Sequence, residues 1–421
     1  MRKITFCLLL IALGNAGFSQ QLDLVKRYTF AKMYTGLDFN YFMGLGESTF
    51  LNAQDQAFSL ERNRFLLPAI NIGATHFWGH ADFYVSIATS PIQAETPQVE
   101  NSVRFGAVTG MRVFPFKIQN QKLRPFVSYK FAPFRLNQRN IFDEKYRKTE
   151  VKSLFGLGVA YQTPRIYAYL GAEFIPNKET TIYISRGQAA RSSYPGTLLN
   201  FGVNYTIETT YGAYTPTIAQ LDTLLSRSNT LGWFLGIGPS SAFPLRSSSY
   251  ITSQYPFLDD KAMPAVFPEM TLGYHFSKQD WIISLNFRPI RQVREAFSFT
   301  QRLKRNSLGL EAYKGLFDYH GFVPFLGAGL LYENILLEET DRAAAVRNQR
   351  SEYFTPSIVF GWDIRPSRKA DIWLLRTNLR YSPFLEVQNE GGFLSLQHLE
   401  FNFIQLVVYP QRIKKYKALQ R

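Results

Sequence analysis

The chain has 421 residues, a formal net charge of +15, 46% hydrophobic and 16% aromatic residues, and a single cysteine. One cysteine excludes a disulfide-stapled scaffold, and no run of about 18 apolar residues exists to make a transmembrane helix. The 24 Tyr and 37 Phe are a heavier aromatic load than a secreted soluble domain ordinarily carries.

Residues 1–20 read as a cleaved signal peptide. Arg2 and Lys3 supply the basic start, residues 4–13 an apolar core, and residues 15–20 a small and polar exit. Cys7 lies inside that core, so the mature chain has no thiol and a charge of +13. A positive, exported chain is expected to meet anionic lipid or polysaccharide and not nucleic acid.

From there the dominant signal is alternation. In "LLNFGVNYTI", Leu199, Phe201, Val203, Tyr205 and Ile207 share one face, while Asn200, Gly202, Asn204 and Thr206 share the other. Period-two patterning of this kind predicts β-strands. Sixteen are expected, near 32–45, 65–78, 81–91, 102–115, 123–136, 151–163, 165–176 and 197–209, then 231–244, 266–277, 280–290, 305–317, 321–334, 352–365, 370–385 and 399–410. Most are long enough for a tilted strand to span a bilayer, which takes about 9–11 residues. Links after even-numbered strands are short, as in "GH" and "TP", and links after odd-numbered strands are long, the pattern of a transmembrane antiparallel β-barrel.

The chain also repeats itself at an offset of about 200: Pro68, Gly73, His76, Asp82, Ser86 and Pro91 correspond to Pro268, Gly273, His275, Asp280, Ser284 and Pro289. "LRPFVSY", with Pro125 and Phe126, corresponds to "FVPFLGA", with Pro324 and Phe325. The organisation read from this is a first eight-strand repeat over 21–209, a periplasmic joint over 210–230 in which "IAQLDTLLSR" can form a short helix, a second repeat over 231–410, and a basic, disordered tail over 411–421. The strand "VPFLGAGLLYEN" resembles the Pro-aromatic-x-Gly-x-Gly strand of the outer-membrane β-barrel families of Bacteroidota. That resemblance implies an outer-membrane address and no fixed activity. Two closures are open, two tandem barrels of eight strands or one of sixteen. Small inward residues such as Gly36, Gly156, Gly158, Gly236 and Gly327, with few inward charges (Asp38, Lys130, Glu173, Asp363, Arg376 and Arg380), favour two narrow barrels over a wide aqueous one.

No catalytic, cofactor-binding or metal-binding constellation emerges. His76, His80, His275, His320 and His398 show no recognisable spacing to a nucleophile, and Asp259 and Asp260 read as solvated loop acids. One basic run stands out, "RPIRQVREAFSFTQRLKR", read as an outward loop in which Arg288, Arg291, Arg294, Arg302, Lys304 and Arg305 contact an anionic glycolipid. The expected role is that of a non-enzymatic outer-membrane barrel with a structural or surface-interaction function. A porin-like channel is the alternative, and an outer-membrane hydrolase a remote one. Expected partners are outer-membrane lipid, lipopolysaccharide and, during biogenesis, the barrel-assembly machinery.

Overall fold

A computed structural model describes residues 31–419, apart from 208–216, 225–230, 259–264, 366–370 and gaps of one to three residues elsewhere. The signal segment, most of the joint, Asp259, Asp260, His320 and the side chain of His76 therefore lie outside the described residues.

Sixteen strands form the barrel circuits. In the first half they are β1 (Ala31–Phe42), β2 (Phe65–His76), β3 (Ala81–Ala88), β4 (Val108–Val113), β5 (Leu123–Arg139), β6 (Lys145–Gln162), β7 (Ile166–Phe174) and β8 (Thr197–Ile207). In the second they are β9 (Trp233–Pro244), β10 (Ala265–Phe276), β11 (Trp281–Ala296), β12 (Phe299–Gly315), β13 (Phe322–Asp341), β14 (Ala344–Ile364), β15 (Trp373–Ser382) and β16 (His398–Val408). Within each half, each pairs antiparallel with its chain neighbours, and two further pairings decide the architecture. β1 runs against β8, with Gly36 opposite Asn204, and β9 runs against β16, with Gly236 opposite Val407. Each half thus closes on itself as an eight-stranded barrel, and the single sixteen-stranded ring is excluded.

Closure at this diameter requires small residues where large rings cross the lumen. A Cβ on Gly73 would fall 2.4 Å from the Tyr34 ring, and one on Gly273 would fall 2.2 Å from the Phe234 ring. The two halves thus use the same ring-on-glycine contact at positions 200 apart.

The odd-numbered links are not floppy loops. They carry separate hairpins at Glu47–Leu51 with Ala57–Glu61, Glu179–Tyr183 with Ala189–Ser193, and Glu386–Asn389 with Gly392–Ser395, whereas Ile92–Thr96 and Val99–Phe105 prolong β3 and β4 within the barrel sheet, the latter paired with β5. The link after β9 carries a short helix, α1 (Ser249–Gln254). β11–β12 and β13–β14 instead extend as tall hairpins closed by two-residue turns, Phe297–Ser298 and Arg342–Ala343, all four residues left-handed.

The tail expected to be disordered is helical, as α2 (Pro410–Leu419). Arg412 anchors it by donating to the carbonyls of Leu231 (2.8 Å) and Asp371 (3.0 Å). Leu221, from the joint, is buried against Leu231, Ile372, Tyr416 and Leu419. Arg412 thus reaches back under the barrel with its donors satisfied by backbone carbonyls, and the helix docks.

Candidate functional site

Polarity is inverted relative to a soluble protein. On β8 the side chains of Leu199, Phe201, Val203, Tyr205 and Ile207 face outward and are exposed, while Asn200, Asn204 and Thr206 face inward and are buried. β5 shows Leu123, Val127 and Phe131 outward, and β14 shows Phe354, Ile358 and Phe360. In water such a surface is unfavourable by about 1.5–3 kcal/mol per large side chain, whereas hydrocarbon accepts it and closure leaves no strand edge to satisfy. No helix among the described residues is long and apolar enough to cross a membrane. The chain is a transmembrane β-barrel protein.

The first lumen is filled by an aromatic and ionic stack. The Arg112 guanidinium lies between the rings of Tyr84 (3.9 Å) and Tyr169 (3.6 Å) and pairs with Asp82 at 3.3 Å. Tyr167 donates to Asp82 at 2.5 Å, and the Tyr169 hydroxyl donates to Asp38. One layer outward, Lys130 pairs with Glu173 at 2.7 Å. Charge and ring occupy the width that a solute would need.

The second lumen holds a denser network. Arg380 donates to Glu311 (2.5 Å), Glu400 (3.0 Å) and Glu269 (3.0 Å). Arg288 reaches Glu400 at 2.8 Å, and Arg305 forks onto both oxygens of Glu333 at 2.7 and 2.6 Å. His398 shares Glu400 at 2.8 Å. Buried charges are tolerable only when paired and hydrogen-bonded, as these are.

Below this network, at the short-turn end, Arg376 forks onto Asp363 (2.7 and 3.0 Å), and Arg365 bridges Asp363 (3.2 Å) and Asp280 (2.8 Å). His275 lies 2.7 Å from Asp280 through Nε2 and 3.4 Å from Arg412 through Nδ1. Arg412 can only donate, so Nδ1 accepts and Nε2 carries the proton. Burial alone would raise the Asp280 carboxyl, but the His275 bond and the Arg365 charge together hold it below the ordinary carboxylate range.

The two barrels meet at their outer ends. Tyr146 of β6 pairs with Ala296 of β11, and the Phe297 ring stacks on Tyr146 at 5.6 Å. Arg186, in the hairpin after β7, forks onto Asp341 at the tip of β13 and also donates to the Phe297 carbonyl. The hydrogen bond from Arg186 lowers the Asp341 carboxyl. A single apolar cluster joins residues from both halves here, among them Phe134, Tyr194, Tyr250, Phe257 and Phe299.

The basic run singled out from the sequence is not a loop. Arg288, Arg291 and Arg294 belong to β11 and Arg302, Lys304 and Arg305 to β12, and strand alternation splits the set. Arg288, Arg294 and Arg305 are buried in the interior, so they are not available to a glycolipid. Arg291, Arg302 and Lys304 face outward, and Lys304 is paired with Glu338 at 2.9 Å. The lumen acids Glu269, Glu311, Glu333 and Glu400, together with Arg112, escaped the sequence reading. Each is an isolated charge on an otherwise alternating strand, and continuing the inward phase from Ser284 and Asn286 would have reached Arg288.

His80 hydrogen-bonds the Phe114 carbonyl at 2.9 Å through Nδ1, in a short turn. It thus serves the turn, as His275 and His398 serve the second lumen.

No family model matches the chain, and no curated protein matches it. Among solved structures it aligns with an outer-membrane channel from Pseudomonas putida F1 at 7% identity, covering 92% of this chain and 98% of that one with a TM-score of 0.22. The Pseudomonas putida toluene transporter TodX aligns at 10% identity, covering 90% and 89% with a TM-score of 0.20. Outer-membrane expressed OmpT of Vibrio cholerae aligns at 9% identity, covering 90% and 97% with a TM-score of 0.18. Superpositions this poor carry no argument about role; the assignment rests on strand pairing and inverted polarity.

Proposed function

We propose that the protein is an integral outer-membrane protein with no enzymatic role, whose two sealed barrels anchor a shared outer surface for structural or interaction purposes. The observation that carries this reading is the filling of both lumens by paired charges and rings. A diffusion pore needs a continuous wet path, and here Arg112 in one barrel and Arg288, Arg305 and Arg380 in the other occupy the axis. The outer-membrane address rests on the closed barrels, on the signal segment and on hairpins confined to one end. Kinship with the Bacteroidota barrel families belongs to the same reading and rests on the strand beginning Val323-Pro324-Phe325. Lipopolysaccharide and the barrel-assembly machinery are the partners it implies.

The test is conductance across a planar bilayer of the refolded mature chain, with closed barrels verified by heat-modifiable gel mobility. Silence is the expected result. Large, stable steps would overturn the sealed-lumen reading in favour of a porin-like channel.

A further inference from the structure

The outward face of β5 runs from the short-turn end as Leu123, Pro125, Val127, Tyr129, Phe131 and Pro133, and its first outward charge is Arg135. Those eleven residues match the height of a barrel's apolar band, about 25 Å, so Arg135 stands at the level of the outer-leaflet headgroups. Its direct cross-strand neighbour, in the Val99–Phe105 strand, is Arg104. Like charges directly opposite on a sheet are destabilising. The charged groups acting on Arg135 are Arg147 and Arg104, both repulsive. Among the described residues, Arg104 and Arg135 have no carboxylate partner, while Arg147 reaches Glu295 at 3.7 Å and the Asn137 side chain at 3.2 Å.

The second barrel differs at the same height. There Asn334 stands where the first barrel has Arg135, opposite Asn306, and the nearby basic residues Arg302 and Lys304 face Glu338. An outward basic pair without an acid is thus a feature of the first barrel, placed where a membrane supplies anions.

We propose that Arg104 and Arg135, with Arg147 beside them, form a binding site for the phosphate of a phosphorylated glycolipid in the outer leaflet. Two guanidinium forks facing one another suit a phosphate, which each can hold bidentately. The ligand's acyl chains would lie down the groove of Phe131, Pro133 and Val151, all on the outward face. This assignment rests on the outer-membrane reading above. It moves the glycolipid contact from the second barrel, where half the basic residues are buried, to the first.

The experiment uses the mature chain folded in zwitterionic micelles, with native mass spectrometry counting bound bisphosphorylated lipid A. Retention on the native sequence should fall about tenfold or more in R104Q/R135Q, as expected for losing charge-assisted bonds. R302Q should bind as the native chain does, and dephosphorylated lipid A should not distinguish the native chain from the double variant. Equal retention by R104Q/R135Q, equal retention of the dephosphorylated lipid, or displacement by an equal concentration of inorganic phosphate would each overturn the assignment. R104Q alone, an exposed substitution that leaves Arg135 in place, gives the same comparison if the double variant folds poorly. Failure to insert into bilayers as a closed barrel would instead overturn the outer-membrane reading; normal insertion without lipid retention would overturn the glycolipid site alone.

Discussion

Replacing Arg380 by methionine tests whether the second lumen is dry. Arg380 serves three buried acids, and they do not depend on it equally. Glu400 keeps Arg288 at 2.8 Å and Arg305 at 3.1 Å. Glu311 keeps Arg288 at a looser 3.8 Å. Glu269 keeps the hydroxyl of Ser240 (2.7 Å) and the amide of Asn402 (3.0 Å) but, among the described residues, has no other cation within pairing distance. The loss therefore falls mainly on Glu269 and then on Glu311. Removing one partner of a buried pair costs about 3–5 kcal/mol, so R380M should lose about 4 kcal/mol. The double variant R380M/E269Q no longer carries the stranded charge and should recover about half of that loss. Urea unfolding in phospholipid bilayers, followed by tryptophan fluorescence, is a suitable assay because Trp233, Trp281, Trp362 and Trp373 all belong to the second barrel. A loss below about 1 kcal/mol, the range of a solvated surface pair, would refute the reasoning by showing that water enters the lumen.

Two further outcomes concern the ends of the molecule. The Arg186–Asp341 fork clamps the barrels at their outer ends. Because Asp341 titrates lower folded than unfolded, its contribution is complete above about pH 4 and is lost as the pH falls through the folded value. Spin labels at the exposed Phe142 and Val346 should report one distance from about pH 7 to 5 and a broader distribution in strong acid, while R186A should be broad throughout; a pH-independent width in the native chain would count against the clamp. At the opposite end, R412A leaves the Leu231 and Asp371 carbonyls short of a donor and releases α2, a loss of about 1–3 kcal/mol. Amide exchange at Tyr409 and Leu231 should accelerate, and unchanged protection there would show that the helix docks without its arginine.

Much of this architecture was legible in the residues. Alternation placed all sixteen strands, because a strand with lipid on one side and a lumen on the other has no third environment to blur its period. The glycines marked narrow lumens because rings such as Tyr34 and Phe234 must lie across them. The heights of the hairpins were not legible. Two-residue turns usually announce themselves by Asn-Gly or Asp-Gly, and here the turn residues are Phe297–Ser298 and Arg342–Ala343. With the turn disguised, the basic stretch around it read as a loop. The ionic lumen was hidden for a different reason: its arginines and acids are far apart in sequence, as Arg288 and Glu400 are, and only closure brings them together. The Arg104–Arg135 pair was hidden likewise, since it exists only through the register between the Val99–Phe105 strand and β5.

The turn at Phe297 and Ser298 also shows how one half depends on the other. Left-handed backbone at a residue with a side chain costs about 1–2 kcal/mol, and the compensation at Phe297 comes from the other half of the chain: the Tyr146 ring, the Lys145 carbonyl and the Arg186 side chain. The first half thus serves as the jig that holds the second half's tall hairpin in shape. The two cylinders are alike in plan but not exchangeable: alone, the second would lose the surface against which that hairpin bends.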